Sequence, residues 1–121
     1  MIKKSKLLTI IVLIMSFAML TTSCKEESKH SSASIDAEKS FKRASAYYRL
    51  GKVDSAIGEY EKTVLYDKTH KAAHYNLAVL YREKGRNTEA LHEFEEYLKY
   101  SNHESDAVVR KYVLEEIDKL K

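Results

Sequence analysis

The chain has no proline and no tryptophan, and only three glycines and one cysteine in 121 residues. With no proline, nothing in it removes a backbone donor or forces a helix to break. With so few glycines there is no phosphate-cradling loop, and a lone cysteine excludes an internal disulfide and a cysteine-built zinc site. No serine or cysteine stands in a recognisable nucleophile setting, so no enzyme and no cofactor are expected. Excess charge is missing as well. Lys3, Lys4 and Lys6 are the only charged residues among the first 23 and account for the whole formal excess of +3. The remainder is balanced, without the basic field that binding to nucleic acid requires.

What is present divides at Cys24. Lys3, Lys4 and Lys6 precede a nearly unbroken apolar run, Leu7 to Leu20, and Leu-Thr-Thr-Ser-Cys follows. As a helix the run spans about 21 Å, short of the roughly 30 Å hydrocarbon core, so it reads as a secretory signal rather than a spanning helix. Its end resembles the lipobox of bacterial lipoproteins, with small Ser23 before Cys24 and threonines where leucine and alanine are more usual. The resemblance implies a signal peptide over 1–23 and a Cys24 that carries diacylglycerol and a fatty acyl group such as palmitate as the new N-terminus. Residues 24–35 then read as a lipidated cysteine and a flexible polar tether. Glu26 and Glu27 are similar to short export signals of surface lipoproteins, and Lys25 is unlike the aspartate that retains lipoproteins in the inner membrane. The expected location is therefore the bacterial cell envelope, lipid-anchored, with the outer membrane favoured and the leaflet open.

From residue 36 onward the composition is that of an all-α protein. Six pairs of similar residues recur at a spacing of 34: Ala44 and Ala78, Tyr47 and Tyr81, Gly51 and Gly85, Ala56 and Ala90, Ile57 and Leu91, Tyr60 and Phe94. Phe41, Ala44, Tyr47 and Tyr48 make one helical stripe, which Gly51 ends, and Ala56, Ile57, Tyr60 and Val64 make the facing one. The second copy repeats the scheme. Period and pattern resemble the tetratricopeptide repeat. The tryptophan slots hold Ser40 and His74, the first leucine slot holds Arg43, and the proline slots hold Lys68 and Asn102. This implies two stacked hairpins over 36–104 (about 37–70 and 71–104) in an α-solenoid. Residues 105–121 read as a capping helix with Val108, Val109, Tyr112, Val113, Ile117 and Leu120 inward, and Arg110, Lys111, Glu115, Glu116 and Lys119 in water. Tyr112 falls where a third repeat would place a small residue.

In the family, the first helix of each hairpin lines a groove that holds a peptide or a partner's helix. By matching positions the first hairpin contributes Phe41, Ser45, Tyr48 and Arg49. The second contributes Tyr75, Asn76, Val79, Arg82 and Glu83, and the cap contributes Arg110. Asn76 and Arg110 also match two slots of a carboxylate clamp, but Phe41, Ser45 and Asp106 depart from it. His70 and His74 are four apart with no third ligand, and "HEFEE" (92–96) lacks the second histidine of a zinc protease, so no metal is expected. The expected function is a membrane-anchored module that recruits a protein or peptide, with no nucleic acid bound. The alternative is a structural accessory that self-associates or braces an outer-membrane complex. Two repeats bury little surface, which leaves room for a homodimer.

Overall fold

The computed structural model describes residues 32–121. The expectations for the signal segment, Cys24 and the tether as far as residue 31 lie outside the described residues. Five helices follow in order among them: α1 over 32–49, α2 (Val53–Tyr66), α3 (Lys71–Glu83), α4 (Asn87–Tyr100) and α5 (Ala107–Leu120). No strand occurs among the described residues, which is the all-α class read from the composition. One difference lies at the start of α1. Residues 32–35, assigned to the tether, are already helical: none of Ser32, Ala33, Ser34 and Ile35 breaks a helix, and Ala37, 2% exposed, packs just beyond them.

Each hairpin turns on a glycine. Gly51 has φ 72° and Gly85 φ 73°, the left-handed region that costs a side chain about 1–2 kcal/mol. The Lys52 amide reaches back to the Tyr47 carbonyl at 2.9 Å and the Gly51 amide to Tyr48 at 2.9 Å. Thirty-four residues on, Arg86 bonds Tyr81 at 2.8 Å and Gly85 bonds Arg82 at 2.9 Å. These are matched Schellman ends. The two glycines play equivalent parts.

Between the hairpins the turn is held by side chains. Asp67 Oδ1 accepts from the Thr69 amide at 2.9 Å and from its hydroxyl at 2.7 Å, and His70 Nδ1 caps α3 by accepting from the Ala73 amide at 3.2 Å. Small residues let the helices close: Ala44, Ala56, Ala73, Ala78 and Ala90 are all fully buried. One core cluster joins the first hairpin to α3 through Tyr60, Leu77, Leu80 and Tyr81. The other joins α3, α4 and α5 through Phe94, Tyr97, Val113 and Ile117.

The departure at the first leucine slot has a physical reason. Leu77 is fully buried between the hairpins, whereas Arg43, its counterpart, is 60% exposed and pairs through Nε with Glu59 at 3.0 Å. The slot needs an apolar side chain only where another hairpin covers it.

On α5 the structure differs from the sequence reading. The α4–α5 connection spans 101–106, two residues longer than the 67–70 turn, so the register advances by 36 instead of 34. Leu114, 51% exposed, then stands in the slot of Ala78, and Tyr112 in that of Asn76. Val108 faces water at 85% exposure, while Glu116, expected in water, is 5% exposed.

Candidate functional site

The groove residues do not all gather at one place. Tyr48 from α1 and Tyr75, Asn76 and Val79 from α3 line a cavity of about 180 Å³, together with Tyr60 of α2 and Leu80 of α3. The last two were not expected there. Tyr60 reaches it because small Ser45 leaves room, and the Ser45 and Tyr60 hydroxyls are 3.2 Å apart. Ser45 also donates to the Phe41 carbonyl at 3.0 Å. Among the described residues no charged side chain lines the cavity, so a neutral group suits it best. Tyr48 stays 48% exposed at the rim. Tyr75 forms the far wall and leans on Tyr97 and Tyr112, with ring centroids at 5.6 and 6.5 Å. Burial, then the neighbouring Tyr112, pushes its phenol pKa above the ordinary value.

Phe41 turns into the core rather than the groove, with its ring 5.5 Å from Tyr60 and 4.7 Å from the His70 imidazole. Arg49 and Glu83 are exposed near the ends of α1 and α3, outside the cavity lining. Arg110 is used within the fold: it donates to the Leu98 carbonyl at 2.7 Å and to Ser101, closing the C-terminal end of α4.

Arg82 marks the main asymmetry. It stands one repeat after Tyr48, where a second cleft between α3 and α5 would repeat the first. Its guanidinium donates to the Tyr112 hydroxyl at 2.9 Å and pairs with Glu116, which also accepts from Lys119 at 2.7 Å. In the shifted register Glu116 replaces Leu80. The first cleft is open and lined by uncharged side chains; the second is filled by an ion pair.

The other histidine candidates are accounted for. His70 caps α3, His74 is buried against Glu93 of α4, and His92 is exposed on the outer side of that helix. Glu96 pairs with Lys99 at 3.3 Å. Among the described residues no group of three or more histidine, cysteine, aspartate or glutamate side chains could hold a metal. No helix among them is long and apolar enough to cross a membrane.

Two matched glycine ends, alanine-lined crossings and a lined inner cleft define a helical-repeat binding scaffold. The tetratricopeptide repeat family matches residues 41–107, more than half of the chain, and the chain belongs to that family. Repeats of this family mediate protein–protein interactions. No curated protein matches the chain significantly.

Proposed function

We propose that this protein is a lipid-anchored interaction module of the bacterial envelope, not an enzyme, and that it captures a protein or peptide partner in the α1–α3 cleft. The observation that carries the binding reading is the contrast between the two inter-helix clefts. One is open, tyrosine-walled and uncharged, whereas its repeat is closed by Arg82 and Glu116. A cavity of about 180 Å³ suits one large apolar side chain, with Asn76 near it to hydrogen-bond the bound backbone. The anchoring half rests on the run before Cys24. Acylation there would confine the cleft to the membrane surface and raise the local concentration of a partner held in the same membrane.

Tyr48 gives the cleanest test, because it is half-exposed and its loss leaves the core intact. Tyr48→Ala is expected to weaken the isolated complex by about tenfold or more, with the helical circular dichroism unchanged. Undiminished affinity would move the interface elsewhere. A second reading, self-association through the outer side of α5, draws on exposed Val108 and Leu114. It would make the protein a brace rather than a receptor.

A further inference from the structure

His74 stands one repeat after Ser40, and Glu93 one repeat after Glu59, at the spacing of 34. In the first hairpin the carboxylate is held by permanent cations, with Glu59 2.7 Å from Lys62 and 3.0 Å from Arg43. In the second it meets an imidazole. His74 Nδ1 lies 2.6 Å from Glu93 Oε2, and His74 Nε2 lies 2.9 Å from the Lys68 carbonyl oxygen. A carboxylate and a carbonyl both accept. A neutral imidazole has one N–H, so it would satisfy one of them and set a lone pair against the other. Only the imidazolium donates to both. The residue is 5% exposed and its ring stacks on Tyr100 at 5.9 Å, so water is a poor substitute for the missing donor.

We propose that His74 is an imidazolium clamp that ties the α2–α3 turn to α4, and that raising the pH releases the turn and loosens the joint between the hairpins. The charged groups facing it are Glu93 and Glu96 of α4. Lys99, which pairs with Glu96 at 3.3 Å, lies over the Tyr100 ring at 4.8 Å. From the turn the His74 ring meets the Lys68 carbonyl. Burial pulls the His74 pKa down, but the hydrogen bonds from Glu93 and Lys68 and the charges of Glu93 and Glu96 outweigh it and raise the net value. The sign follows. A histidine whose folded pKa lies above the unfolded one contributes stability that is complete below the ordinary value and is lost as pH rises through the folded value. The first hairpin, with Ser40 at that position, carries no such dependence there.

Histidine-selective nitrogen labelling of the full chain tests the clamp without any partner. The His74 ring is expected to titrate with its midpoint above the ordinary 6.5, both nitrogens showing protonated shifts below it. The free energy of unfolding is expected to fall as pH rises from the ordinary histidine value through the raised folded value, and Glu93→Gln is expected to flatten that slope. A midpoint at or below 6.5 would overturn the proposal, as would equal slopes in the wild type and the variant. If Glu93→Gln does not fold, the wild-type spectrum decides alone.

Discussion

Glu116→Ala is expected to destabilise the domain by about 2 kcal/mol, because it leaves the Arg82 guanidinium half-enclosed and short of its carboxylate. At 29% side-chain exposure Arg82 keeps some water, which holds the cost below that of a fully buried pair. For a domain of this size that is a fall in Tm of roughly 10 °C. The acid limb of stability should change too. Hydrogen bonds from Lys119 and then Arg82 hold the Glu116 carboxyl below its ordinary value despite burial. Its contribution is therefore present above the ordinary carboxylate range and lost as pH falls through the folded value, a loss that Glu116→Ala should make shallower. Arg82→Met with Glu116→Leu should recover most of the loss, since a leucine fills the equivalent slot at Leu80 in the preceding repeat. A double variant no more stable than Glu116→Ala would mean that the pair adds more than charge compensation. Thermal unfolding of the three variants checks both points.

Cys24→Ala carries the largest expected effect on location. Each buried acyl methylene contributes about 0.8 kcal/mol, but a single chain binds a membrane only reversibly, so stable anchoring takes more than one chain. Under the proposed lipid anchor, the cysteine is also the group that must be acylated before the signal is removed. The variant is therefore expected to lose fatty-acid label completely, to retain residues 1–23 and to leave the outer membrane. Metabolic labelling with an alkyne fatty acid, followed by fractionation, reads all three. A normally processed, unlabelled protein of unchanged location would remove the anchor from the account.

The fold was legible because its determinants are local or periodic. Two glycines at positive φ and alanines at the crossings repeat at 34 whatever their neighbours do, and they set hairpin length and helix spacing. The site was less legible, because a side chain's direction depends on what packs beside it. Phe41 belongs to the right helix, but the His70 and Tyr60 rings draw it into the core. Arg82 occupies a groove position, yet Glu116 holds it shut. Its charge places that carboxylate in water, but the two extra residues in the 101–106 connection shift the α5 register and bury it, which no single-helix pattern records. Arg43 is a departure legible in the sequence itself: a charged residue in an inter-hairpin slot marks a surface with no hairpin stacked on it.

The central claim is that the partner contacts the α1–α3 cleft and not the other surfaces of the repeat. It is tested most directly by a photoreactive amino acid placed in living cells at position 48, at position 112 beside the closed cleft, or at position 62 on α2. The account predicts a light-dependent adduct with one defined protein from position 48, and none from 112 or 62. An adduct from 62 or 112 with none from 48 would contradict it.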